Sequence, residues 1–321
     1  MSFTITGTGS CLPVLSVHNN DFVGIVETSD EWISTRTGIR RRRFLKEESL
    51  RQIAAGAARR ALEDSGTDAA KLDLILCATV QGEDVSPSLA CLLQEDLGAE
   101  CPAFDMNAGC TGFLYVLDTA AAYFRAGMAE HILIVCAEQL SRFLDWKDRS
   151  TCVLFGDGAG AVVLSKGDSL LAVQTGARGQ RENLNIPGVC ASGPFWDEAD
   201  ARGSFIHMNG REIFKFAVTT VQNEIETVAR KAGIAVDDVD YFLLHQANGR
   251  IIESARTRLH QPEEKFPVNY AECGNTSSAS IPVLLDELNR NRRLKRGDTL
   301  LFCAFGAGLT WGSCVIRWNK D

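Results

Sequence analysis

Three short stretches of this 321-residue sequence hold side chains whose type and setting could do chemistry. The first is Gly109-Cys110-Thr111-Gly112. A short apolar run from Ala103 gives out at Asn107, and apolar residues return at helical spacing at Phe113, Val116, Leu117, Ala120, Ala121 and Phe124. Cys110 is therefore expected at a strand-to-helix turn. There, backbone N–H groups and the positive end of the helix dipole favour thiolate over thiol. The flanking glycines allow a sharp turn and close approach of a substrate. On these grounds alone Cys110 reads equally as a nucleophile or as a small core residue. The second stretch is "YFLLHQANG" (241 to 249), where His245 ends a buried-strand pattern. Such a histidine is often no more than a hydrogen-bonding residue, but strand ends are also where α/β folds put active groups. The third is "AECGNTSSAS", in which Asn275 could cap a helix or offer an amide donor.

The elements that must position these groups come in two copies. "DSGTDAAKLDLILCATVQG" (64 to 82) and "KAGIAVDDVDYFLLHQANG" (231 to 249) align at one constant offset, which sets Gly66 on Gly233, Asp73 on Asp240 and Gly82 on Gly249. The same offset sets "ILIVCA" on "TLLFCA", and Cys110 on Ser277. Each copy reads as helix, strand, helix, short strand, helix, strand, with long helical patterns over Leu50 to Glu63 and Ile213 to Lys231. The expectation is two α/β halves, 1–170 with the cysteine and 171–321 with the histidine and asparagine. Their sheets would be covered by helices, and two central helices, starting near Cys110 and Ser277, would be buried between them. Thr111 to Phe124 carries only Asp118 as a charge, as such burial requires.

Composition narrows the function classes. A formal charge of −8 disfavours a general nucleic-acid binder. Against it, "RTGIRRRRFLK" (36 to 46) is a local basic run, read either as a solvated loop or as a site for a phosphate-bearing ligand. The eleven cysteines include no C-x-x-C pair, and most sit in apolar runs as small hydrophobes, so neither a zinc site nor a disulfide framework is expected. No apolar run is long enough for a membrane span, and the N-terminus lacks a secretory pattern, so a cytoplasmic protein is expected.

In order along the chain, "TSDEWISTRTGI", "FDMNAGCTGF", "DRSTCVLFGDG", "LFGDGAGAVVL", "LLHQANGRII", "CGNTSSASIP" and "FGAGLTWGS" resemble the β-ketoacyl-acyl carrier protein synthase III family of the thiolase superfamily. The resemblance implies the thiolase-like fold, five layers in the order αβαβα built from duplicated halves. It also implies a Cys-His-Asn triad, carried over to Cys110, His245 and Asn275. The implied reaction primes fatty-acid synthesis. An acyl-CoA, typically acetyl-CoA, acylates the cysteine, and decarboxylative condensation with malonyl-acyl carrier protein follows. By resemblance the oxyanion hole is the N–H of Cys110 with that of Ala307, and Trp32, Arg36 and Arg149 contact the CoA nucleotide. Ser29 reads as a helix N-cap, which puts Trp32 and Arg36 on one helical face. An acidic carrier protein calls for a basic docking patch, for which Lys215, Arg250 and Arg258 are candidates. No metal or redox cofactor is needed, and a homodimer is implied.

Two positions depart from the family pattern. Ser86 stands where an aromatic residue near the acyl pocket is common, which would open the pocket to longer or branched primers. Ala307 replaces a glycine, so its role assumes a backbone angle that alanine tolerates. The alternatives are a related condensing enzyme or acyltransferase of a polyketide or other secondary pathway, and a non-catalytic binder of acyl-CoA or carrier protein.

Overall fold

The computed structural model describes residues 2–188 and 204–320. Cys190 lies outside them. The strands fall into two main sheets. In the first, Ala103–Met106, Leu74–Ala78 and His131–Glu138 run parallel, and Gly158–Gly167 and then Ser2–Cys11 follow antiparallel. In the second, Tyr241–Leu244 runs parallel to Thr299–Gly306, with Thr310–Arg317 and Leu170–Ala177 antiparallel beyond it. The first sheet draws only on residues 2–167 and the second only on 170–317. Matching strands of the two copies occupy matching places in the two sheets.

The inner strands are largely apolar because both faces are covered. Seven of the eight residues of His131–Glu138, and all eight of Thr299–Gly306, are buried. Helices Leu50–Ser65 and Leu89–Leu97 cover the outer face of the first sheet. Helices Gly210–Ala232 and Gly249–Arg258 cover the outer face of the second. The helices aligned in the repeat, Leu50–Ser65 and Gly210–Ala232, end at the aligned glycines Gly66 and Gly233. Between the sheets lie the two central helices, Gly112–Arg125 and Ser280–Arg290. The five αβαβα layers are thus present. Phe113 of the first central helix meets Phe302 of the second sheet edge-on, with ring centroids 5.8 Å apart. Buried Asp286, on the second central helix, accepts hydrogen bonds from Thr8 Oγ1 at 2.7 Å and Ser10 Oγ at 2.6 Å, tying the halves together.

The two main sheets differ by one strand. The short strand Ala103–Met106 has no counterpart in the second half, where Phe266 to Asn269 forms no ladder. Pro267 has no amide hydrogen to give one, and Phe266 instead stacks on Phe242 at 4.6 Å. Part of the basic run is taken up by the fold. Arg41–Phe44 is a strand paired with Leu15–His18, and its alternation sends Arg42 fully inside. Arg42 donates to the carbonyls of Val17 and Val153 and to Asn19 Oδ1, and it lies over the Phe22 ring. Burial lowers its guanidinium to about 10. Arg41 pairs with Glu272, and Arg43 donates to Val14 O. Three of the arginines are occupied by the fold. No helix among the described residues is long and apolar enough to cross a membrane.

Candidate active site

Cys110, His245 and Asn275 come from three separate turns and line one cavity of about 200 Å³. Its walls are largely apolar and include Leu184, Met208, Ile213, Ile251 and Phe305.

Cys110 sits in a single 3₁₀ turn, Gly109–Thr111, that leads into the first central helix. Gly109 takes a left-handed angle, φ +53°. The strand end at Gly306 lies flat against this turn. A Cβ at Gly306 would stand 2.8 Å from Cys110 N, so only glycine fits. A Cβ at Gly109 would lie 3.3 Å from Ala307 N, which puts the Ala307 amide beside the cysteine turn. Ala307 has no positive φ, so alanine is unstrained there.

The expectation of a favoured thiolate is not met. Cys110 keeps some accessible surface, yet protein surrounds it so closely that burial pushes its thiol up to about 12. The Ser277 hydroxyl opposes this shift and the carboxyl of Glu138 adds to it. Desolvation of the anion is the largest influence, and the Cys110 backbone N–H works against it. Glu138 is itself buried behind the cysteine, and burial raises it to about 7. It accepts from Ser278 Oγ at 2.6 Å and from Val80 N at 3.0 Å. Ser277 is within reach of both Cys110 and Glu138 and lowers both, although none of its hydroxyl contacts is a well-aligned bond.

His245 follows strand Tyr241–Leu244, where its N–H donates to Cys303 O at 2.9 Å. It is 2% exposed, and burial alone lowers its imidazole to about 3. The ring is therefore neutral at ordinary pH. Its Nδ1 lies 2.7 Å from Ser280 Oγ, and Phe305 meets it edge-on at 5.4 Å. Asn275 is held by backbone bonds to Leu154 O and from Gly156 N, both 2.9 Å. Its Oδ1 accepts the Ser277 N–H at 2.9 Å, an Asx-type turn in which Ser277 adopts φ +51°.

The cavity opens into a mouth of about 360 Å³ that shares Ser150, Leu154, Gly210, Phe214 and Asn248 with it. Trp32, Arg36 and Arg149 all line the mouth. Ser29 Oγ caps their helix by accepting from Trp32 N at 3.0 Å. The Trp32 ring carries the Arg36 guanidinium at 4.6 Å and that of Arg149 at 4.8 Å. Arg149 also donates to Glu27 O at 2.6 Å. Lys215 and Arg250 line the same mouth, Lys215 in an ion pair with Glu212 at 2.7 Å and Arg250 over the Phe214 ring at 5.3 Å. Arg258 is farther out, in a neighbouring groove with Arg250, Glu253 and Tyr270.

Ser86 is not brought to the cavity. It is exposed in the loop that crosses from strand Leu74–Ala78 to helix Leu89–Leu97, and it lines neither cavity nor mouth. Within the single chain its loop is exposed, with Glu83, Asp84 and Val85 beside it. Sequence reasoning gave no site role to Glu138, Ser277, Ser280, Phe305 or Phe214. Glu138 carried one available signal, a lone acid ending the apolar run "ILIVCAE".

Comparison with known proteins adds the following. A family model described as 3-oxoacyl-[acyl-carrier-protein (ACP)] synthase III matches residues 104–179, and its C-terminal companion matches 229–318. The β-ketoacyl-[acyl-carrier-protein] synthase III of Clostridium acetobutylicum is 46% identical over 99% of both chains. That of Aquifex aeolicus is 43% identical over 99% of this chain and all of its own. The crystal structure of the Aquifex aeolicus 3-oxoacyl-[acyl-carrier-protein] synthase III superposes with a TM-score of 0.91, covering 98% of this chain and 99% of that one. A priming β-ketosynthase from the R1128 polyketide pathway, 34% identical, superposes with a TM-score of 0.92 over 99% of this chain and 96% of its own.

Proposed function

The chain belongs to the β-ketoacyl-[acyl-carrier-protein] synthase III family, and from that premise we propose that Cys110, His245 and Asn275 carry out its condensation. It is a condensing acyltransferase that initiates fatty-acid synthesis. The observation that carries the assignment of residues is the meeting of all three in one apolar cavity behind a cationic, tryptophan-bearing mouth.

In the first half-reaction the Cys110 sulfur attacks the thioester carbon of an acyl-CoA. The thiol proton is lost as the C–S bond forms, since a thiol near 12 is not ionised beforehand, and the departing sulfur takes one up, so CoA leaves as its thiol with no net change in protons. The Cys110 and Ala307 N–H groups stabilise the oxyanion, a reading supported by the packing of Gly109 and Gly306 against each other's neighbours. In the second half-reaction malonyl-acyl carrier protein loses CO₂. His245 Nε2–H and the Asn275 amide donate to its thioester carbonyl and stabilise the enolate. That carbon attacks the acyl-Cys110 carbonyl, the C–S bond breaks, and 3-oxoacyl-carrier protein leaves. A neutral His245 is suited to donation to an enolate and poorly suited to act as a base.

Trp32 stacks the adenine while Arg36 and Arg149 meet nucleotide phosphates. Their placement on one ring supports this. Lys215, Arg250 and Arg258 receive the acidic carrier protein, with the first two at the mouth itself. The primer is acetyl-CoA, for which the small cavity leaves room. All steps use the chain's own groups and thioester substrates, with no further cofactor. A homodimer in the cytoplasm completes the proposal, and strand Ala103–Met106, paired on one side only among the described residues, is free for a partner.

Intact-protein mass after brief incubation with acetyl, branched and medium acyl-CoAs tests the assignment. One acyl increment is expected on the wild type and none on Cys110→Ser. No increment from any donor on folded protein would remove Cys110 as the acyl carrier.

A further inference from the structure

A neutral imidazole has two tautomers, and only the one protonated on Nε2 can donate into the cavity if Nδ1 faces away from it. His245 Nδ1 does face away, toward Ser280 Oγ at 2.7 Å, in a contact buried from solvent. Which atom donates is decided by what else Ser280 does. Its oxygen already accepts the Gln246 N–H at 3.3 Å, and among the described residues its hydroxyl has no acceptor other than His245 Nδ1. If Nδ1 carried the proton, Ser280 Oγ would accept twice and its own O–H would be buried with no acceptor, which is costly. If Ser280 donates to Nδ1, every group is satisfied, in a chain running from Gln246 N–H to Ser280 to His245.

We propose that Ser280 is a positioning residue which fixes His245 in the Nε2–H tautomer and so supplies the cavity with its second hydrogen-bond donor. The serine is placed for this by its helix. It is the first residue of the second central helix, where the chain has just turned out of the Asn275 loop. One short segment, Asn275 to Ser280, therefore sets both donors. Ser277 N–H occupies Asn275 Oδ1 and leaves its NH₂ group free, and Ser280 O–H occupies His245 Nδ1 and leaves Nε2–H free. The low imidazole value agrees, because a ring that stays neutral is one whose tautomer matters.

The inference rests on the function proposed above, but its first test does not. Nitrogen NMR of ¹⁵N-histidine-labelled wild-type protein, with the His245 signals assigned by their loss in His245→Gln, reads the tautomer directly. Nδ1 is expected unprotonated and Nε2 protonated. A protonated Nδ1 would overturn the proposal whatever the turnover. In the second test, Ser280→Ala should lower decarboxylative condensation roughly 10²-fold, the usual scale for losing one fixed donor, with single-turnover acylation of Cys110 changed far less. Ser280→Thr, which keeps the hydroxyl, should recover most of the loss. Equal loss in both half-reactions, or no rescue by Thr, would make Ser280 a packing residue only. If Ser280→Ala does not fold, the wild-type tautomer and the Thr variant still decide. Absence of any wild-type condensation would sink the functional reading while the nitrogen signals still reported on Ser280.

Discussion

Asn275 Oδ1 accepts the backbone N–H of Ser277 at 2.9 Å, so the orientation of the Asn275 amide is set by its own loop. Amide oxygen and nitrogen are told apart here by that bond, since a flipped side chain would set NH₂ against N–H. The free NH₂ group then belongs to the cavity that holds Cys110 and His245.

This orientation makes Asn275→Asp an informative variant. A carboxylate keeps the bond to Ser277 N–H but offers an acceptor where an enolate needs a donor. Condensation is expected to fall about 10² to 10³-fold, with acylation of Cys110 by acyl-CoA largely retained. Single-turnover mass measurement separates the two. Equal loss in both half-reactions would mean that Asn275 holds the loop and nothing more.

Cys110 is the clearest disagreement between local sequence logic and three-dimensional environment. Its place before a helix argues for a low value, and desolvation with a buried acid behind it carries the thiol to about 12. Alkylation of Cys110 by iodoacetamide, followed at its peptide because Cys91 is exposed and Cys11 partly so, should rise on the order of tenfold per pH unit from 7 to 10. A plateau near neutrality would show the helix end winning after all.

Glu138 gives the opposite kind of pH signal, in stability. Folded, its carboxyl holds a proton to about 7, and unfolded it releases that proton near the ordinary 4.5. Between those values the native state binds more protons than the unfolded chain, so this group's contribution falls as pH rises through the window. The groups facing it are Arg142, which stays charged, and the thiols of Cys77, Cys110 and Cys136, all raised by burial and so protonated there. Relative to Glu138→Gln, the wild type should lose on the order of 3 kcal/mol between pH 4.5 and 7.5. Urea unfolding of both proteins at the two pH values measures it, and a constant difference would contradict the raised carboxyl.

What was legible in the sequence was what repeats or punctuates. The glycine stops, the offset between "LDLILCA" and "VDYFLLH" and the uncharged stretch after Cys110 all follow from period and composition, and they carried the two sheets and the buried helices. The Cys110, His245 and Asn275 turns were legible because each breaks an apolar pattern with a polar group. Ser280 was not, because in "NTSSAS" nothing separates one hydroxyl from the next until helical register turns one of them toward Nδ1. The arginine run was only partly legible for a similar reason. Four adjacent charges look like a patch, but a strand sends alternate side chains to opposite faces, and Arg42 went inside. Ser86 rests on the resemblance alone, and within the single chain its exposed loop does not line the cavity.

The mouth offers the remaining prediction, because its geometry separates binding from chemistry. Two guanidiniums lie over the Trp32 ring, with Arg149 also anchored to the Glu27 carbonyl. An adenine stacked there is bound far from the reacting carbon, so the contact acts alike on ground and transition states and belongs in KM. Trp32→Ala should raise KM for acyl-CoA about tenfold, near 1.4 kcal/mol, the scale of one aromatic stacking contact with its cation partners. Arg149→Ala should raise it as well, and more at low salt than at high salt, because it also removes a phosphate partner. The same substitutions should barely alter the use of an acyl donor that carries pantetheine without the nucleotide. Steady-state kinetics with acetyl-CoA and with acetyl-pantetheine make the comparison. A parallel loss on both donors would place the adenine elsewhere and leave Trp32 as the packing that holds its helix.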